Sequence, residues 1–106
     1  MRRSKYRAIP TTVDGIRFAS KAEARRYSEL QILKAAGEIS ELTLQPRYRI
    51  EVQGRKICDY VADFGYFNAL GRYIVEDVKG VLTPVYKLKK KLVKACWGID
   101  IEEVKR

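Results

Sequence analysis

The sequence of 106 residues contains no histidine. That absence removes Ser-His-Asp triads, Cys-His nucleophiles, histidine zinc sites and every nuclease class built on a histidine general base. Cysteine is scarce: Cys58 and Cys96 are the only two. Two thiols cannot make a four-cysteine zinc site, and both are expected to be reduced, buried and small apolar in role. No apolar run approaches the roughly 18 residues that cross a membrane, so nothing is expected to span one, and DNA rather than a membrane is the expected partner. No apolar segment follows Met1-Arg2-Arg3-Ser4-Lys5, which therefore does not read as a signal peptide. Acid is short relative to base. Lys plus Arg is 22 and Asp plus Glu is 13, a net charge of +9. A small domain this basic is expected to meet a polyanion: nucleic acid or, less often, an acidic membrane surface. Hydrophobic residues make up 46% of the chain, too much for a disordered one.

Neither repeats nor a low-complexity linker divide the chain. Residues 1–12 are expected to be a flexible basic arm, and residues 13–106 a single domain. Asp14-Gly15 marks a small hairpin. Ser20-Lys21-Ala22-Glu23 fits a capping box, good helix formers run to Ala36, and Gly37 supplies a left-handed stop. Alternation then predicts strands over 41–50, 57–67 and 72–79, separated by turns at Gln53-Gly54 and Asn68-Ala69-Leu70-Gly71. Thr83-Pro84 opens a second helix that ends at Gly98, with Val85, Leu88, Leu92, Ala95 and Cys96 as its core stripe. A last short strand covers 99–101. The order α-β-β-β-α-β gives an α/β fold: three antiparallel strands, and a fourth returning through a helix to lie parallel to the third. The result is a small mixed sheet flanked by helices.

Within that frame three charged residues fall on neighbouring strands. A five-residue loop over 68–72 sets Asp63 opposite Asp77, with Lys79 on the same face. A four-residue loop sets Asp63 opposite Glu76 instead. Opposed carboxylates inside apolar strands are costly unless paired or metal-bound, and Mg²⁺ prefers carboxylate oxygens. The plainer alternative is an edge ion-pair cluster. Glu23 lies on the helix stripe that faces the sheet, within reach of such a site, and it also serves the cap. On the second helix Lys87, Lys90, Lys91 and Lys94 gather on the side away from the core stripe. They form either a solvated face or a ridge that tracks phosphates. Arg2, Arg3 and Lys5 of the arm, with Arg25 and Arg26, are further candidates for nucleic-acid contact. Trp97, Tyr66 and Phe67 read as core.

Asp63, Asp77-Val78-Lys79 and the helical Glu23 together resemble the PD-(D/E)xK nuclease superfamily, whose restriction-endonuclease-like core has this element order. More closely, residues 11–17, 20–27, 37–40, 44–46, 60–64, 75–80 and 86–92 resemble small phage-encoded endonucleases described as Holliday-junction-resolvase-like. Ala62 stands in place of the name-giving proline, and Asp77 in place of the commoner Glu. The resemblance implies an endonuclease that hydrolyses DNA phosphodiesters with Mg²⁺, or Mn²⁺ in its place, in the cytoplasm of a bacterial host. Asp63 and Asp77 would hold the metal, with Glu23 directly or through water and the Val78 carbonyl as an extra ligand. Lys79 would orient the attacking water, and Gln45 would be a polar neighbour of the site. Branched or structured DNA is the leading expectation, and symmetric cutting of a junction implies a homodimer. The alternatives are a nicking or processing nuclease on linear or single-stranded DNA, a non-catalytic DNA-binding protein of the same fold, and a counter-defence protein using the fold.

Overall fold

The computed structural model describes residues 8–105. Arg2, Arg3 and Lys5, and most of the expected arm, lie outside them. The chain opens on a small hairpin, β1 (Thr11–Val13) and β2 (Ile16–Phe18), so Thr11 and Thr12 belong to a strand and not to the arm. Asp14 and Gly15 both take positive φ (54° and 76°), the geometry of a two-residue turn that matches strand twist. Helix α1 (Lys21–Ala35) follows, with the Ser20 side chain accepting from the Glu23 amide. Beyond its C-cap at Ala36, the Gly37 amide bonds Lys34 and the Glu38 amide bonds Leu33, so both helix ends fall where the caps place them.

Two of the expected strands are each broken in two. β3 (Ile39–Leu44) and β4 (Arg47–Val52) replace the first, and β5 (Arg55–Val61) and β6 (Phe64–Asn68) replace the second. The breaks lie side by side. Gln45 takes φ 51°. The Gln45 amide bonds the Asp63 carbonyl at 3.0 Å, and the Ala62 amide bonds the Pro46 carbonyl at 3.0 Å. The hydrogen-bonded ladder therefore runs through the bend while the strands change direction, and β4–β5 leaves as a separate two-stranded ribbon. β7 (Tyr73–Lys79), helix α2 (Pro84–Trp97) and β8 (Ile101–Lys105) complete the chain. The main sheet has the order β3-β6-β7-β8, antiparallel up to β7 and parallel between β7 and β8. This is the predicted mixed topology, carrying a terminal hairpin and a projecting ribbon besides.

The helices cover opposite faces of the sheet. Phe64, Tyr66, Ile74 and Val78 pack with Leu30 and Tyr27 of α1, whereas Val75 and Ile101 pack with Tyr86 and Val93 of α2 and with Ile50 and Tyr60 of the ribbon. Successive residues of β7 thus alternate between the two cores.

Helix α2 is turned away from its expected orientation. Val85 and Leu88 are 64% and 59% exposed, Ala95 and Cys96 are exposed, and only Leu92 of the predicted stripe is partly buried. Tyr86 and Val93 are buried in their place. The rotation follows the groups with most to gain. The Tyr86 ring lies 6.5 Å from that of Tyr60, its hydroxyl donates to Glu103, and the Trp97 indole donates to the Arg49 carbonyl while standing edge-on to Tyr48. Aromatic side chains bury more area than Val or Leu and satisfy a polar tip as well. Trp97 nevertheless stays 51% exposed, so of the three aromatics expected in the core only Tyr66 is buried there. Cys58 is half-buried and Cys96 exposed, both as free thiols.

Candidate active site

The register of β6 and β7 decides between the two loop readings. Phe64 pairs with Glu76 and Phe67 with Tyr73. The Asn68 amide bonds the Arg72 carbonyl at 2.9 Å, and the Asn68 side chain accepts from Leu70 and Arg72. The five-residue loop forms, and Asp63 falls opposite Asp77. Asp63 itself lies in the bend, outside either strand. That position lets its backbone amide donate to Asp77 Oδ1 at 3.0 Å while its own Oδ2 accepts from the Val78 amide at 2.8 Å.

Glu23 arrives from the other face. It sits at the third helical position of α1, and its backbone amide caps onto Ser20 at 3.1 Å. Its carboxyl, raised first by burial, feels the Asp63 carboxyl, which raises its pKa further, while the Ala19 backbone acts the other way. Asp63 in the bend is therefore the bridge between an α1 carboxyl and a β7 carboxyl that approach the sheet end from opposite sides. Lys79 is the fourth member, with Nζ 3.9 Å from Asp77 Oδ2 and 4.2 Å from the centroid of the Tyr86 ring. Glu23, Asp63, Val78 and Lys79 line a cleft of about 500 Å³. The first turn of α1 and the Thr83 cap of α2 stand at its rim.

Three acids this close cannot all stay charged cheaply. Burial, and then the neighbouring Asp63 charge, push Glu23 up to about 7. Burial pushes Asp77 up to about 6 against the opposing pull of Lys79. Asp63 is raised by burial, with the Val78 amide and Lys79 working the other way. All three carboxyls are raised, so the group favours holding protons over carrying three buried negative charges. Asp77 Oδ2 is buried with no hydrogen-bond partner.

That orphan oxygen is the test of fit for a divalent cation. Among the described residues no three acids close into a preformed metal cage. The donors that are present are hard carboxylate oxygens. Asp77 Oδ2 makes no hydrogen bond and has the Lys79 ammonium 3.9 Å away, and burial raises all three carboxyls toward the neutral form, which a bound cation would oppose. This chemistry fits Mg²⁺. Asp77 and Asp63 would hold it, with Glu23 beside them once ionised.

Other expected members are not brought together here. Gln45 joins the site through its backbone alone: its amide holds the Asp63 carbonyl, and its side chain is exposed and outside the cleft. Arg26 is not free for nucleic acid. Its guanidinium makes a bidentate pair with Glu76 (Nε to Oε1 2.8 Å, Nη2 to Oε2 2.7 Å) and bonds Glu29 at 3.0 Å. Tyr66 donates to the same Glu76, whose side chain points into the α1 core. Arg25 is exposed. Of the lysine ridge, Lys90 pairs with Glu103 and Lys94 with Asp100, while Lys87 and Lys91 are exposed without an ion pair among the described residues. Tyr86 and Glu103 were not anticipated beside the site. The signal available was Tyr86 itself, at the third position of a capped basic helix.

Fold and site together define a small mixed α/β protein with a carboxylate and lysine centre at the C-terminal end of β7. Residues 3–104 match the family described as "Protein of unknown function (DUF1064)", and the chain belongs to that family. No curated protein and no solved structure matches it. No helix among the described residues is long and apolar enough to cross a membrane.

Proposed function

We propose that the protein is a metal-dependent endonuclease of the PD-(D/E)xK type, with a restriction-endonuclease-like core, acting on DNA. One observation carries this reading: Glu23, Asp63 and Lys79, drawn from α1, the bend and β7, line one cleft, and the Asp77 carboxylate that bonds the Asp63 amide and pairs with Lys79 at 3.9 Å is buried with an Oδ2 that makes no hydrogen bond. A bound Mg²⁺ supplies Lewis acidity to a phosphoryl oxygen and lowers the pKa of bound water. The chain's own residues do the rest. Asp77 and Asp63 fix the donor oxygens, the Val78 amide fixes Asp63, and Glu23 exchanges a proton at its carboxyl. Lys79 places a positive charge where the phosphodiester becomes more negative. Structured DNA is the proposed substrate class. The test is cleavage by purified protein with Mg²⁺ on junction, flap, duplex and single-stranded DNA. Cutting of none of them in Mg²⁺ or Mn²⁺ would leave a DNA-binding role only.

Affinity for the DNA backbone is assigned to the unpaired lysines. Each phosphate neutralised on a duplex contributes a slope of roughly −0.9 to log K against log salt. Changing Lys87 and Lys91 to Gln is therefore expected to flatten the slope by roughly two units. Changing Lys90 and Lys94 is expected to flatten it much less, because Glu103 and Asp100 already hold them. Fluorescence anisotropy across a salt series measures both. Equal changes in the two double variants would show that the ion pairs give way to phosphate.

A further inference from the structure

Lys79 sits on a stem of four methylenes, and its ion pair with Asp77 is long, at 3.9 Å. That contact alone does not fix an ammonium. The second contact is the face of the Tyr86 ring, 4.2 Å from Nζ to the centroid. Tyr86 is 6% exposed, and it is held from two sides. Its hydroxyl donates to Glu103 at 2.8 Å, and Glu103 is in turn paired with Lys90 at 2.9 Å. Its ring lies against Tyr60. The ring is thus a fixed plate, pinned by β8 and the ribbon, with the lysine cation resting on its negative face. None of these partners belongs to the carboxylate set.

We propose that Tyr86 is the positioning residue for Lys79, holding the ammonium by its ring face between Asp77 and the open cleft. This rests on the nuclease reading of the site and adds to it. The part that acts is the ring. The hydroxyl and Glu103 serve to keep the ring in place.

The experiment compares Tyr86→Leu, which removes the ring, with Tyr86→Phe, which keeps it and loses the bond to Glu103. Tyr86→Leu is expected to lower kcat roughly ten- to thirtyfold, the size of a partly desolvated cation-π contact, with KM for DNA unchanged. Tyr86→Phe is expected to retain kcat within about threefold. In the wild-type protein the ε-methylene protons of Lys79, assigned by their loss in Lys79→Arg, are expected upfield of every other lysine because they lie over a ring. That shift is expected to vanish in Tyr86→Leu and persist in Tyr86→Phe. Wild-type kcat in Tyr86→Leu overturns the proposal, as does a Tyr86→Phe variant as slow as Tyr86→Leu. Should Tyr86→Leu fail to fold by circular dichroism, the wild-type spectrum decides: Lys79 at the ordinary lysine position overturns the proposal. Failure of the nuclease reading is distinct. There the wild-type protein cuts nothing, while the Lys79 shift still reports whether the ring holds the cation.

Discussion

Asp77→Asn is expected to abolish Mg²⁺-dependent cleavage and to stabilise the metal-free protein at the same time. The first effect is the loss of the buried carboxylate best placed to hold a cation, worth roughly a thousandfold or more in rate. The second follows from protonation. Asp77 has its pKa raised by burial from 3.8 to about 6, and Glu23 has its own raised from 4.5 to about 7. For a carboxyl raised on folding, the stabilising contribution is fully present below the unfolded pKa. It is lost as pH rises through the folded value. In metal-free buffer the wild-type melting temperature is therefore expected to fall as pH rises from about 4.5 to 8. Asp59 and Glu103, whose values are lowered by Lys56 and Lys90 respectively, act in the opposite sense at more acid pH. They do not mask the trend in that window. Asn keeps an oxygen for the Asp63 amide and removes the buried charge. At pH 8 the gain is on the order of 2 kcal/mol after allowance for solvent access, or about 10 °C in a domain of this size. Mg²⁺ is expected to raise the wild-type melting temperature at pH 8 and to leave Asp77→Asn unmoved. A variant that melts below wild type at pH 8, or still cuts DNA, removes Asp77 from the site.

The parts of this design that rest on short-range chemistry were legible in the sequence. Ser20, Gly37, Thr83-Pro84 and Gly98 mark helix ends because a cap is a contact within a few residues. The pairing of Asp63 with Asp77 was legible up to one choice of loop length, and the side-chain acceptor of Asn68 settles that choice in favour of five residues. The bends at Gln45 and Asp63 were not legible. Apolar alternation and the hydrogen-bonded ladder both continue across them, so no pattern of period two records the change of direction. The rotation of α2 was missed for a related reason. A stripe of Val and Leu gives the direction of greatest aliphatic content. The helix instead turned toward a tyrosine and a tryptophan whose polar tips find partners on β8 and β4. Glu23 could be placed on the sheet-facing stripe. Its electrostatic interaction with Asp63 depends on a strand break 40 residues further along the chain. Arg26 looked like a surface cation because its partner lies 50 residues away.

Arg26→Met carries the other large effect, and it separates a structural arginine from a DNA contact. Glu76 is 2% exposed, and its carboxylate is satisfied by two of the three guanidinium nitrogens and by Tyr66. Removing the arginine leaves a buried carboxyl in the α1 core with only the Tyr66 hydroxyl as donor, and breaking a buried pair from one side costs about 3–5 kcal/mol. For a domain of about 100 residues that is a fall in melting temperature of more than about 10 °C. Replacing both members, Arg26→Met with Glu76→Leu, is expected to recover much of the loss, because the stranded charge goes with its partner. What remains is the Tyr66 hydroxyl left without an acceptor, at a cost of about 1–3 kcal/mol. The same pair fixes where α1 lies on β7, and Glu23 is one turn from Arg26 on that helix. The double variant is therefore expected to fold and to bind DNA with an unchanged salt slope, while cutting more slowly because Glu23 is less well held against Asp63. An Arg26→Met protein that melts within a few degrees of wild type, with its salt slope reduced by about one unit, would instead return Arg26 to the phosphate-binding surface.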